Sequence, residues 1–285
     1  MAQVLSIESS VSYGFVGNSA AVFALRRMGV DAWPVPTVNL SNHNGYPTVR
    51  SLKASPEQVL ALVRGLDELG VLSGVNAVLS GYLSSPAMGE AVLSALDMVQ
   101  RRRPDTLICC DPVMGERTTG FYCAPGTPDF FRDELVPRAQ LVTPNLFELE
   151  TLTGRRTRCL PEIVQAAQEL RELGPSTVLV TSVEGADVPS SAVAMIVAGP
   201  EGVCYVQTPR QDRSFSGSGD LTAAVFLAQL LGEAPLDEAL AATAGAMHGI
   251  VSCTAAMGSR ELALVQAQDE LVDPTKTFTS RWLQT

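Results

Sequence analysis

The segment Gly217-Ser218-Gly219-Asp220 places two glycines, a serine and an acid directly before an apolar helical stretch. Glycines at a helix start let backbone N–H groups approach an anion closely, and the helix dipole favours negative charge there. A carboxylate in this position repels a bound phosphate, but it can accept the proton of a hydroxyl that attacks the phosphate. The segment is therefore either a phosphoryl-transfer site with Asp220 as the base or an ordinary first helical turn. The sequence contains no GxxxxGK[ST] pattern, which excludes a P-loop enzyme.

Two further segments carry acids where apolar stretches end. Asp111 follows TLICC and Glu116 lies five residues later, a combination that suits Mg²⁺ bound largely through water and substrate phosphates. Asn145 and Glu148 have an i, i+3 spacing, so both face the same way at a predicted helix start. Each segment also has a purely structural interpretation, in which Asp111 caps a turn and Asn145 caps a helix with acids in its first turn.

Two uncharged polar segments, residues 9–18 and 41–46, supply hydroxyls, amides and aromatic rings. Such a lining suits a small, neutral, polar ring compound. Each segment alone could equally be a polar loop, and a lone histidine such as His43 is more often structural than catalytic.

The composition limits the classes of protein. The 285 residues are 46% hydrophobic with a net charge of −10, which excludes disorder and argues against affinity for nucleic acids or anionic membranes. No apolar run is expected to approach the roughly 20 residues of a membrane span, and the N-terminus has no signal-peptide pattern. The six cysteines show no CxxC or zinc-ligand spacing, so we expect reduced thiols in a cytoplasmic protein.

Strand-like and helix-like segments alternate along the chain. VLSIES, residues 31–40, NAVLSG, TLICCD, 139–143 and 177–182 are predicted strands, and Ser-Pro pairs at 55–56 and 85–86 open predicted helices. AVAMIVA and GVCYVQT predict a hairpin, and the chain after it is predicted to be almost all helix to Pro274. The pattern predicts one α/β domain over residues 1–285, with a mostly parallel sheet and ligands beyond the carboxyl ends of its strands.

Taken together, these segments resemble the pyridoxal kinase family of the ribokinase-like superfamily. IESSVSYGFVGNSAAVFALRRMG resembles the opening of the family, which reads approximately IQSHV-YGH-GN-AA-FP---LG. SNHNGY, LSGYL, CDPVMG, TPNLFELE, the GSGDL loop and ELALVQAQDEL then follow in the family's order. The resemblance implies a three-layer α/β sandwich with a central, mostly parallel sheet, in a homodimer. It also implies transfer of the γ-phosphate of ATP to the 5′-hydroxyl of pyridoxal, pyridoxine or pyridoxamine.

The resemblance also implies a role for each matching residue. Asp220 would be the general base, and Gly217, Ser218 and Gly219 would form the anion hole. The metal and phosphate network, with Mg²⁺, would comprise Asp111, Glu116, Thr143, Asn145 and Glu148. Thr181 and Ser182 would line the nucleotide phosphates, and in members that need K⁺ the threonines at 143 and 181 help to hold it. The vitamer pocket would comprise Ser9, Val38, His43, Asn44, Gly45 and Tyr82, and a loop of Thr208, Pro209, Arg210 and Gln211 would cover the ATP.

Four residues depart from the family pattern: Ser10, Phe15, Asn44 and Ser216. These departures concern vitamer preference rather than phosphoryl transfer. Two alternatives remain beside a B6 kinase. A hydroxymethylpyrimidine kinase shares CDPV and TPN but is expected to lack the SNH and SGY segments. A non-catalytic pyridoxal phosphate carrier would have lost the base or the metal acids, which are present here.

Overall fold

The computed structural model describes residues 1–185 and 187–284. The strands in chain order are β1 (Gln3–Val11), β2 (Asp31–Leu40), β3 (Ser51–Lys53), β4 (Ala77–Ser80), β5 (Leu107–Cys110), β6 (Gly115–Glu116), β7 (Gly120–Phe121), β8 (Leu141–Val142), β9 (Thr177–Val183), β10 (Ala192–Gly199), β11 (Gly202–Pro209) and β12 (Arg281–Trp282). The helices are α1 (Asn18–Arg27), α2 (Pro56–Glu68), α3 (Pro86–Arg102), α4 (Thr127–Phe130), α5 (Leu146–Thr153), α6 (Leu160–Glu172), α7 (Ser218–Leu231) and α8 (Leu236–Ala256). Short helical turns cover Val71–Gly74, Phe131–Leu135, Val136–Arg138 and Gln268–Leu271.

Within the described residues, one ten-stranded sheet has the order β12-β11-β10-β9-β8-β5-β4-β1-β2-β3. The six strands from β9 to β2 in this order are parallel to one another, whereas β3, β10, β11 and β12 pair antiparallel. The predicted mostly parallel sheet and the predicted β10–β11 hairpin are therefore confirmed. The carboxyl ends of the parallel strands share one edge of the sheet, as the sequence argument required.

The helices begin where the sequence provides caps. The side chain of Ser55 accepts a hydrogen bond from the N–H of Gln58 in a capping box, with Pro56 in the first turn of α2. The side chain of Ser85 likewise accepts a hydrogen bond from the N–H of Met88, with Pro86 in the first turn of α3. Because these caps satisfy helix N–H groups that have no partner inside the helix, the helix starts follow from local chemistry.

The helices cover both faces of the sheet and define three layers. One core lies between the sheet and α2, α3, α5 and α6, and contains Met88, Leu96 and Phe131. The other lies between the sheet and α1, α7 and α8, and contains Leu25 and Phe226. This is the predicted three-layer α/β sandwich.

Two expectations about the elements were wrong. The last helical stretch ends at Ala256, and the chain from there to Pro274 forms turns with one short 3₁₀ turn, because the buried Thr254 hydroxyl accepts the Ala263 N–H and redirects the chain. Helix α8 is long and apolar enough to span a membrane by length and composition, although 56% of its most apolar window is buried inside the protein.

Candidate active site

A cleft of about 630 Å³ opens beside the carboxyl ends of β8 and β9. Most of the predicted nucleotide residues line it: Glu116, Asn145, Thr181, Ser182, Thr208, Pro209, Arg210, Gln211, Ser218 and Gly219. Its other walls include Phe215, Met247, His248 and Val251, which the sequence analysis missed because nothing in their local pattern distinguishes them from core residues. The cleft is thus polar towards the sheet edge and apolar between β10, β11 and α8.

Helix α7 begins at the inner end of this cleft. Its N-cap, Gly217, has a φ of 85°, and a Cβ on it would lie 1.8 Å from the backbone oxygen of Phe15. Only glycine fits this left-handed, closely packed position. Asp220 lies in the first turn of α7, as predicted, so its carboxylate sits beside the free N–H groups of the helix.

The acids of CDPVMG and TPNLFELE converge below the cleft. Thr143 donates to Oδ1 of Asp111 at 2.9 Å, and both residues are buried. Glu148 accepts the Met114 N–H on Oε1 at 3.0 Å and the Asn145 N–H on Oε2 at 2.9 Å. Asn145 caps α5 and forms a capping box with Glu148. The helix-capping interpretation of this pair is therefore correct.

The carboxyl groups at this edge repel one another. Burial raises the pKa of Asp111 well above its ordinary value, and the charges of Glu148 and Asp220 raise it further, while the Thr143 hydroxyl opposes them. Burial also raises the pKa of Glu148. The pKa of Asp220 is raised by burial and lowered by N–H groups of Gly17 and of Asp220 itself. The net effect is a pKa of Asp220 above its ordinary value, with burial as the largest cause.

Glu8 is a fourth acid at this edge, and the sequence analysis gave it no role. It is 1% exposed, and its Oε2 has no hydrogen-bond partner among the described residues. Burial raises its pKa well above the ordinary value, and the charges of Asp220 and Asp111 add to the rise. Its side chain packs against Gly81, where a Cβ would lie 3.0 Å from Cγ of Glu8. The signal in the sequence was the single charged residue of a strand whose other members are apolar or polar and uncharged.

The donor set suits a divalent cation that is shared with a nucleotide. No group of three or more His, Cys, Asp or Glu side chains in the described part of the chain is close enough to enclose a metal by itself. Mg²⁺, however, is commonly held by one or two carboxylates together with waters and substrate phosphates. Asp111 and Glu148 are buried, mutually repelling carboxylates, and a cation would relieve that repulsion.

The residues expected to form the vitamer pocket lie further along the same edge. Ser9 is the register partner of Val38 on the neighbouring strand. The backbone oxygen of Tyr82 accepts a hydrogen bond from the buried Thr37 hydroxyl at 3.3 Å. His43 is buried in the loop after β2. Asn44 and Gly45 are exposed, and none of these six predicted residues lines the cleft within the part of the chain that is described.

Two predicted nucleotide segments differ in detail from expectation. Thr208 and Pro209 belong to β11 rather than to a covering loop, and the loop begins at Arg210. Ser182 has a φ of 53°, in the left-handed region that is costly for a residue with a Cβ. The pairing of β9 with β10 is irregular at this point, and Ser182 lines the cleft.

Of the four departures from the family pattern, Phe15 is the one with defined contacts. Its ring packs edge-on against Phe23 with centroids 6.2 Å apart, and its N–H donates to Glu261 at 3.3 Å. Ser10 is half-buried at the end of β1, whereas Asn44 and Ser216 are exposed.

A solved structure supports the assignment of the fold. A pyridoxal kinase from Leishmania donovani in complex with ADP and pyridoxamine superposes with a TM-score of 0.91 at 28% identity, covering 100% of both chains. The sheet, its two helical layers and the cleft therefore define a small-molecule kinase of the ribokinase-like fold. A family model described as phosphomethylpyrimidine kinase matches residues 26–264.

Relatives with known names identify the family within this class of kinases. A pyridoxal kinase of Rubrobacter xylanophilus is 45% identical over 279 residues, 98% of this chain and 96% of that protein. One of Leifsonia xyli is 42% identical over 97% of this chain and 98% of that protein. The chain belongs to the pyridoxal kinase family.

Proposed function

We propose that this chain transfers the γ-phosphate of ATP to the 5′-hydroxyl of pyridoxal, and also of pyridoxine and pyridoxamine, in the salvage of vitamin B6. The observation that carries the proposal is Asp220, a half-buried carboxylate in the first turn of α7, next to the nucleotide cleft and the buried acids of the strand ends. The names of its relatives, and the ADP and pyridoxamine of the Leishmania structure, supply the two substrates.

In the proposed mechanism, Asp220 lies between the N–H groups that bind the γ-phosphate and the hydroxyl that attacks it. The γ-phosphate rests on the N–H groups of Gly217, Ser218 and Gly219, where the helix dipole favours negative charge. The 5′-hydroxyl faces Asp220, which accepts its proton as the oxygen attacks the γ-phosphorus. The bond from that phosphorus to the bridging oxygen breaks at the same time, and ADP leaves. The raised pKa makes Asp220 a stronger base once it is ionised. Residues 208–211, Thr181 and Ser182 flank the remainder of the nucleotide in the cleft.

Mg²⁺ is the proposed cation, since it neutralises charge on the transferring phosphate when it is bound. Asp111 and Glu148 would hold it, with Glu116 and the hydroxyl of Thr143 beside them. Thr143 and Thr181 are the proposed residues for K⁺. The backbone bridge that pairs Asn145 with Thr181 supports a shared site, because it aligns the ends of β8 and β9.

The assembly is proposed to be one domain per chain in a two-fold homodimer. One sheet contains strands from Gln3 to Trp282, which supports a single domain. Leu52 on the edge strand β3 is 76% exposed, and Leu62 on α2 and Leu69 just after it are also exposed. Exposed apolar side chains at a sheet edge are suited to burial against a second copy of the chain. The cysteines are all free thiols, which supports a cytoplasmic location.

The deciding experiment supplies purified protein with ATP, Mg²⁺ and one acceptor at a time, and measures kcat/KM. We expect turnover of pyridoxal to exceed that of hydroxymethylpyrimidine. If hydroxymethylpyrimidine is favoured by about tenfold or more, equivalent to roughly 1.4 kcal/mol in the transition state, the substrate assignment is wrong. Absence of turnover with tight pyridoxal phosphate binding would instead support the carrier. Light scattering at micromolar concentration tests the dimer, and a monomeric mass would contradict it.

A further inference from the structure

The ring of His43 has both nitrogens occupied by the protein itself. The N–H of Gly45 donates to Nδ1 at 3.0 Å, and Nε2 lies 3.0 Å from Oε1 of Glu261. Because Nδ1 accepts, the neutral ring must carry its proton on Nε2, which donates to Glu261. Neither nitrogen is left to bind a ligand.

Glu261 is 8% exposed and joins two loops that are far apart in the sequence. Its Oε1 also accepts the Tyr46 hydroxyl at 2.6 Å, and its Oε2 accepts the Phe15 N–H at 3.3 Å. A Cβ on Gly14 would lie 1.9 Å from Oε2, so this carboxylate packs directly against the backbone of the first loop.

The neighbours of Glu261 reinforce this contact. The guanidinium of Arg260 lies 4.1 Å from the ring centroid of Tyr46 and donates to the backbone oxygen of Gly45. The Ser259 hydroxyl donates to the Glu261 backbone oxygen at 2.6 Å, and Arg213 donates to the backbone oxygen of Ser259. Residues 259–261, which we name the clasp, thus hold the loop of residues 41–46 and the loop before α7.

The clasp is also linked, by way of Phe15, to the helix that carries the proposed base. The Phe15 N–H donates to Glu261, and the Phe15 backbone oxygen lies against Gly217, the N-cap of the helix that carries Asp220. One carboxylate therefore stands between the loop expected at the vitamer pocket and the loop packed on the catalytic helix.

We propose that Glu261 is a positioning residue for the vitamer pocket, which fixes the tautomer of His43 and the shape of loop 41–46. His43 then shapes the pocket with its ring face and its loop, and it takes no part in proton transfer to or from the vitamer. This inference rests on the proposed function, because it names the pocket that the acceptor occupies.

The test has a readout on the protein alone. The chain contains two histidines, so ring ¹⁵N spectra contain two imidazoles, which a His43→Asn variant assigns. We expect the Nε2–H tautomer for His43 in the native protein and a mixture of tautomers in Glu261→Ala. Glu261→Gln keeps an accepting oxygen for Nε2–H and is expected to retain the tautomer. A native Nδ1–H tautomer would overturn the proposal.

Kinetics provide the second readout. Glu261→Ala is expected to raise KM for pyridoxal about tenfold or more, the scale of lost hydrogen bonds to a charged group, while kcat and KM for ATP stay within about threefold. Glu261→Gln should raise KM less, and Asp273→Asn, an exposed acid in the same C-terminal region, should change nothing. A pyridoxal KM within about threefold of native in Glu261→Ala would refute the role. If the native protein does not phosphorylate pyridoxal, the proposed function fails, while the spectra still decide whether Glu261 fixes His43.

Discussion

Replacement of Asp220 by asparagine separates a catalytic carboxylate from a structural one. Asparagine keeps the shape of the side chain and an oxygen for the N–H groups of Gly17 and of residue 220, but it cannot accept a proton from a hydroxyl. Loss of a general base lowers a rate by about 10²–10⁴, or roughly 3–5 kcal/mol in the barrier. We therefore expect kcat to fall by this factor, with a much smaller change in KM for either substrate.

The pKa of Asp220 predicts the effect on stability. Because burial raises this pKa above the ordinary 3.8, ionisation of Asp220 costs folding free energy, and the loss grows as the pH rises from about 3.8 through the folded pKa. Asp220→Asn removes that loss. The melting temperature of the variant at pH 8 should therefore equal or exceed that of the native protein, although the residue lies in a helical first turn.

Both quantities should be measured on one preparation, with kcat from absorbance of the product and unfolding by thermal denaturation. Glu238→Gln is the matched control, since Glu238 is an exposed acid in the first turn of α8, outside the cleft. Its loss should cost at most about 1 kcal/mol of stability and leave kcat unchanged. If Asp220→Asn keeps more than about a tenth of native kcat, Asp220 is not the base. A lower melting temperature with near-native kcat would show a helix-capping role instead.

Three further substitutions test the packing and charge of the site. Glu8→Gln should raise the melting temperature above native at pH 8 and not at pH 4, because the buried carboxyl has a raised pKa and loses stability above its ordinary 4.5; an equal shift at both pH values would contradict this. Gly217→Ala should destabilise the fold by about 2–4 kcal/mol in denaturant unfolding, through its left-handed φ and a clash with a backbone oxygen; the control Gly219→Ala, whose Cβ would meet open space, should cost far less. Ser182→Gly should raise the free energy of unfolding by up to about 1 kcal/mol and change KM for ATP. Glu233→Gly, at the second non-glycine residue with positive φ in the described part of the chain, should change stability alone, and loss of stability in both variants would refute the strain argument.

Local sequence patterns predict those parts of the fold that local chemistry determines. The Ser-Pro pairs start α2 and α3 because each serine satisfies a helix N–H group within three residues. The chain after Ala256 was mispredicted for the converse reason. Its apolar residues Leu262 and Leu264 are buried by contacts with distant helices, and periodicity carries no information about such contacts.

The same distinction applies to the site. Asp111 and Glu148 were found because each follows a predicted strand and the ends of parallel strands meet. Glu261 was missed, since its partner His43 lies 218 residues away and neither residue has a local motif that points to the other. Glu8 was missed because a single acid within a strand forms no local motif, and only the fold places it near Asp220.

The order of strands explains how one sheet edge can hold two substrates. The chain runs from β1 outwards to β2 and then returns to β4 on the other side of β1, so the strand order reverses at β1. Ligand sites in open α/β sheets form beyond the carboxyl ends of the strands at such a reversal. The proposed vitamer residues end the strands around this point, and the proposed nucleotide residues end the strands from β5 to β9. Asp220 belongs to neither set. Helix α7 packs on α1, and Gly217 contacts the loop after β1, so the proposed base lies between the proposed vitamer residues and the proposed nucleotide residues. The position of Asp220 depends on close backbone contacts at Gly217 and Gly17, where a side chain would clash. The proposed phosphoryl transfer therefore requires these two glycines as well as the acids.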